Sequence, residues 1–133
     1  MEEYKAFTKP VEAYKVETEE VVTEPQEVRI KVVIDWNEER IIKEINEVFP
    51  DAPVMVHVAR CESSYKSDAF NPTNDSNDKG LFQISTFYHE EEVESLGLDM
   101  FNIQDNIAFA RILYDRSGLG PWKWSKSCWS KYL

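Results

Sequence analysis

Over the first 26 residues apolar and polar positions follow no sustained period. Glu, Lys, Val and Thr dominate there, with Pro10 and Pro25, and the stretch reads as a linker or stalk. "EVRIKVVI", residues 27–34, then alternates Val28, Ile30, Val32 and Ile34 against Arg29 and Lys31, the two-residue period of a strand. Helical spacing follows. In "DWNEERIIKEINEVF" the apolar residues Ile41, Ile45 and Val48, with Ile42 and Phe49, recur every three to four positions, which predicts an amphipathic helix. Asp35 with Glu38 three residues on has the form of a capping box, and Pro50 stops the helix.

"DAPVMVHVARCESSY" allows two readings. Val54, Val56 and Val58 alternate as in a strand. As a helix, capped by Asp51 and opened by Pro53, the run puts Val54, Val58, Cys61 and Tyr65 on one stripe. Its length favours the helix, and Glu62 then stands at the edge of an apolar face, beside Met55 and Ala59. "SDAFNPTNDSNDKG" is dense in turn formers, and "LFQIS" after Gly80 reads as a small hairpin region. "TFYHEEEVESLG" predicts a helix ending at Gly97. "IQDNIAFARILYDRSG" predicts another, with Ile103, Ile107, Ala110 and Tyr114 on one face and Gly118 at its end. "PWKWSKSCWSKYL" is aromatic and reads as a short helix. The expected class is α+β, mainly helical with a small β-hairpin region. The expected organisation is an acidic linker or stalk over 1–35, with one strand at 27–34, and a packed domain over 36–133.

Composition narrows the function. The chain has 133 residues, 42% hydrophobic and 13% aromatic, enough for one core. Its net charge of −10 repels phosphate backbones, so no nucleic acid partner is expected. Residues 1–53 hold 14 acids and 7 bases, and residues 54–133 hold 11 and 8, so the second part is closer to balance. No apolar window approaches the length of a transmembrane helix. "MEEYKAFTKP" lacks the basic-then-apolar pattern of a signal peptide, which fits a mature form, a fragment or a cytoplasmic chain. "DSNDKG" is a poor calcium loop, because Lys79 takes a ligand position and no Glu closes it. His57 and Cys61 are four apart, but one further His and one further Cys make a poor zinc set. No metal and no cofactor are expected. The two cysteines, Cys61 and Cys128, suit either two buried thiols or one bridge.

Glu62 carries the sharpest chemistry. A carboxyl at a helix end beside an apolar face is desolvated, which favours its protonated form. Such an acid can protonate a leaving oxygen, and glycosidic cleavage needs that step. The block "ESSYKSDAFNPTNDSNDKGLFQIS" resembles the core of the lysozyme-like superfamily, which includes soluble lytic transglycosylases, c-type lysozymes and resuscitation-promoting factors. The resemblance rests on Glu62, Ser63, Tyr65, Gly80, Leu81, Gln83 and Ile84, with weaker support from Asn106, Ile107 and "GPWKWSKSCW". It covers residues 36–133.

The resemblance implies a lysozyme-like catalytic domain acting on peptidoglycan as a monomer. Glu62 would be the general acid at the bond from N-acetylmuramic acid to N-acetylglucosamine. Asp78 would be the second carboxylate if the enzyme is of lysozyme type, or a turn residue if it is a lytic transglycosylase. Ser64, Tyr65, Gly80, Gln83 and Trp122 would bind substrate or shape the cleft. "CES" with a late cysteine is similar to resuscitation-promoting factors, which implies a Cys61–Cys128 disulfide and an extracytoplasmic or phage-lysin setting. One position departs from the lytic transglycosylase pattern. Those enzymes commonly carry Tyr seven residues after the Asn of the "NI" pair; here Leu113 stands there and Tyr114 is one step on. A catalytically silent glycan- or partner-binding module is the alternative.

Overall fold

The computed structural model describes residues 14–21, 27–72 and 76–133. The chain divides into two compact units, Met1–Arg40 and Ile41–Leu133. In the first, strands β1 (Tyr14–Val21) and β2 (Glu27–Ile34) form an antiparallel hairpin, its register running from Tyr14 opposite Ile34 to Val21 opposite Glu27. The alternating stretch 27–34 is thus a strand, and its partner lies within the lead read as a linker. Residues 1–13 and 22–26 of that lead lie outside the described residues.

Helix α1 (Glu38–Val48) starts two residues later than the capping pattern predicts, with a different cap. Asn37 Oδ1 accepts the Arg40 N–H at 2.8 Å, so Asn37, not Asp35, satisfies a free amide of the first turn. Ile41, Ile45 and Phe49 are buried, as their spacing requires. The next run is a helix and not a strand: α2 (Met55–Ser63) buries Met55, Val58, Ala59 and Ser63. Asp51 does not cap it. Its carboxylate takes a bidentate pair of bonds from Arg111, at 2.6 and 3.1 Å, which ties the turn before α2 to a later helix. That electrostatic partner outbids a local amide, because two charge-assisted bonds are stronger than one bond to a neutral N–H.

After α2 the chain turns through two left-handed residues, Ser64 (φ 54°) and Tyr65 (φ 64°). Neither is glycine, so each is held against a steric preference of about 1 kcal/mol. The Tyr65 hydroxyl donates to the Val56 carbonyl at 2.9 Å, and the Ser63 hydroxyl to the Leu81 carbonyl at 2.7 Å. These bonds keep the end of α2 at a set angle to a three-stranded antiparallel sheet of β3 (Phe70–Asn71), β4 (Asp78–Lys79) and β5 (Ile84–Ser85). Helices α3 (Thr86–Ser95) and α4 (Ile103–Ser117) follow, the latter capped by Asn102 through the Asp105 N–H at 2.9 Å. A 3₁₀ segment (Gly120–Ser125), α5 (Lys126–Trp129) and a last 3₁₀ turn (Ser130–Tyr132) complete the unit. The fold is α+β, mainly helical with a small antiparallel sheet, as expected from the sequence.

One polar side chain joins sheet and helices. Asn106, fully buried on α4, accepts the Phe82 N–H at 2.8 Å and donates to the carbonyls of Lys79 (3.0 Å) and Met100 (2.8 Å). Gly80 makes room for it: its φ is +78°, and a Cβ there would lie 2.1 Å from the Met100 oxygen and 2.4 Å from Asn106 Nδ2. Gly80→Ala is expected to destabilise the fold by about 3 kcal/mol, combining overpacking with an unfavourable φ. Urea denaturation of the variant beside wild type checks this.

Candidate active site

The end of α2, the sheet and the 3₁₀ segment enclose a cleft of about 300 Å³. Glu62 enters it from α2 and Asp78 from β4, so the two carboxylates named from sequence line one cavity. Glu62 is half-buried, one residue before the helix ends. Burial pushes its carboxyl above the ordinary range; a hydrogen bond from Ser125 pulls the other way, and the charge of Asp78 adds to the upward push. Ser125 Oγ donates to Glu62 Oε2 at 2.6 Å. The Asp78 carboxylate accepts a hydroxyl from Ser76, which shares a further bond with Ser85 on β5. One carboxyl is therefore desolvated, and the other sits among hydroxyls.

The remaining sequence-named residues separate. Gln83 lines the cleft with φ 50°, and its amide NH₂ donates to the carbonyls of Ala69 (3.2 Å) and Gly80 (3.1 Å). Since both partners only accept, its amide oxygen is left as the acceptor for a ligand. Trp122 also lines the cleft, but it is 2% exposed and its indole N–H is bound to the Phe82 carbonyl at 2.9 Å. It is a packed floor, whereas Trp124 is 89% exposed at the same cleft, with Lys123 Nζ 5.2 Å from its ring centroid. Gly80 shapes the site indirectly, through Asn106. Ser64 and Tyr65 are not among the residues lining this cleft; Tyr65 braces α2 instead. Leu113 does line it, while Tyr114 packs edge-on against Phe49.

Cys61 and Cys128 are bonded, with their Cα atoms 6.1 Å apart. The bridge fastens α5 beside the end of α2 and thereby brings up Ser125, which sequence reading missed. The signal was present: Ser125 is one helical turn before Cys128, and Cys61 adjoins Glu62. Ser76, His89 and Tyr88 were missed as well. Tyr88 is 75% exposed at the cleft, and burial pushes the His89 imidazole below its usual value, with Arg116 adding to that and Glu92 opposing it.

Because the folded protein raises the pKa of Glu62, the ionised carboxylate weakens the fold, and the penalty grows as pH rises through the folded value. Glu62→Gln is accordingly expected to be more stable than wild type at neutral and alkaline pH. The gain should vanish below the ordinary Glu pKa of about 4.5, where both states are protonated. Urea titrations from pH 4 to 8 read this directly. Cys61→Ser with Cys128→Ser is expected to cost about 4 kcal/mol, the loop-closure entropy of a 67-residue loop. Denaturation of the double variant measures it.

No protein-family model matches the chain, and no solved structure matches it significantly. Lysozyme 1 of Musca domestica is 30% identical to it over 91 residues, covering 59% of this chain and 64% of that protein. The chain thus spans just under two thirds of that relative's length. Distant homology to this lysozyme and a mainly helical fold that carries a small antiparallel sheet both support a likeness to the lysozyme-like superfamily.

Proposed function

We propose that the protein is a peptidoglycan muramidase, cleaving the β-1,4 bond from N-acetylmuramic acid to N-acetylglucosamine with Glu62 as general acid. The observation that carries this reading is the pairing in one cleft of a desolvated carboxyl with raised pKa and a second, hydroxyl-bonded carboxylate. Two carboxyls in unlike surroundings divide the acid and stabilising roles. In the first step the Glu62 O–H bond breaks as its proton passes to the glycosidic oxygen. The C1–O bond breaks with its electron pair going to that oxygen. The positive charge developing at C1 is met by the Asp78 carboxylate. A water then adds to C1 and returns a proton to Glu62. Gln83 offers its amide oxygen to a sugar N–H or O–H, and Trp124 offers a ring face to a pyranose.

Two features favour hydrolysis over the intramolecular attack of a lytic transglycosylase. Asp78 lines the cleft, and Leu113 occupies the cleft position where those enzymes commonly carry Tyr. The Cys61–Cys128 bridge supports an oxidising, extracytoplasmic setting.

Digestion of purified peptidoglycan, followed by mass spectrometry of the soluble fragments, tests the proposal. Wild type is expected to release fragments with reducing ends. Glu62→Gln should lower the rate by about a thousandfold, the scale of general acid catalysis. Asp78→Asn should lower it by about a hundredfold, the scale of one electrostatic contact to a developing charge. Fragments lighter by one water, ending in 1,6-anhydro-muramic acid, would replace hydrolysis with transglycosylation and reduce Asp78 to a turn residue. Binding without any fragments would favour a silent glycan-binding module.

A further inference from the structure

The two oxygens of Glu62 are not equivalent. Oε2 takes the Ser125 hydroxyl at 2.6 Å, and among the described residues Oε1 receives no hydrogen bond. Ser125 is itself directed. The Trp129 indole N–H donates to its Oγ at 3.1 Å, and the Trp122 carbonyl lies 3.2 Å away as a second acceptor. A serine hydroxyl has one hydrogen and two lone pairs. With one lone pair engaged by Trp129, its hydrogen goes to the shorter partner, Glu62. The indole N–H that directs it is shared with the Trp122 carbonyl at 3.2 Å, and Trp129 is buried, so the orienting group is rigid. The disulfide holds both ends: Cys61 precedes Glu62, and Cys128 is one turn from Ser125.

Resting on the reading of Glu62 as the acid, we propose that Ser125 is its positioning residue, anchoring Oε2 so that Oε1 is the oxygen that gives up and recovers the proton. The anchored oxygen stays hydrogen-bonded in both protonation states. When the proton leaves Oε1, the charge shared by the two oxygens is stabilised through Oε2. Without the anchor the carboxyl turns freely about its last side-chain bond, and Oε1 is no longer aimed at the glycosidic oxygen. The other titratable groups that line the cleft with Glu62 are Asp78 from β4, Tyr88 and His89 from α3 and Lys123 from the 3₁₀ segment. Asp78 pushes the carboxyl up, and Ser125 pulls it down through the hydrogen bond.

The test compares wild type, Ser125→Ala and Ser125→Thr by two readouts. The first follows the ¹³C-carboxyl signal of Glu62 against pH without substrate. Ser125→Ala is expected to move the midpoint upward and Ser125→Thr to restore it. The second is the pH profile of peptidoglycan cleavage. Ser125→Ala should lose about tenfold or more in kcat at unchanged KM, the scale of a misplaced catalytic group, with its alkaline limb displaced to higher pH. Should Ser125→Ala fail to fold by near-UV circular dichroism, the isosteric pair Ser125→Thr and Ser125→Val gives the same comparison. An unmoved midpoint and unchanged kcat in a folded hydroxyl-free variant would overturn the positioning role. An inactive wild type whose midpoint still moves would overturn the muramidase reading and leave the Ser125–Glu62 coupling standing.

Discussion

The covalent bond between Cys61 and Cys128 joins two segments 67 residues apart, and the cleft is arranged around that junction. One cysteine lies in the last turn of α2, and the residue after it is Glu62. The other lies on α5, a helix of four residues that is too short to be stable alone. Fixing α5 against α2 sets Ser125 at hydrogen-bond distance from Glu62 and seats Trp122 and Trp129 in the core. The bridge thus converts a marginal C-terminal segment into a rigid wall. A carboxyl beside that wall is desolvated without being left unpartnered.

The opposite wall depends on Asn106. A buried amide is unfavourable unless its groups are satisfied. Here three backbone groups from the β4–β5 turn and the segment before α4 satisfy it. The strands of that sheet are two residues each, so they have few ladder bonds of their own. Asn106 supplies the missing contacts from α4, and Gly80 permits the close approach. Asp78 and Gln83 stand at either side of this turn, so their positions in the cleft follow from a residue that touches neither the cleft nor a ligand.

Much of this was legible in the chain. Helical spacing in 38–49 and 103–117 predicted α1 and α4, because burying one face of a helix demands a fixed period of apolar residues. Glu62 was legible because a carboxylate next to an apolar run is an anomaly that needs an explanation. Caps were less legible. Asp35 and Asn37 are both good capping residues, and the choice between them depends on the backbone angle by which the chain enters the helix. Strand β1 escaped because "YKVETEEV" carries only a weak alternation and acquires its identity from pairing with β2. Of the tryptophans, the resemblance named Trp122 for the substrate cleft. Burial assigns it to the floor and leaves Trp124 exposed.

By itself, then, the sequence determined the helices, the class of fold and the carboxyl with unusual surroundings. Each is a local matter, set by periodicity or by a charge beside apolar neighbours. Only the tertiary structure decided that Asp78 faces the same cleft as Glu62, that Tyr65 braces a helix and that Ser125 is hydrogen-bonded to the acid. Those relations join residues 9 to 63 positions apart along the chain. They come from packing, which no local pattern encodes.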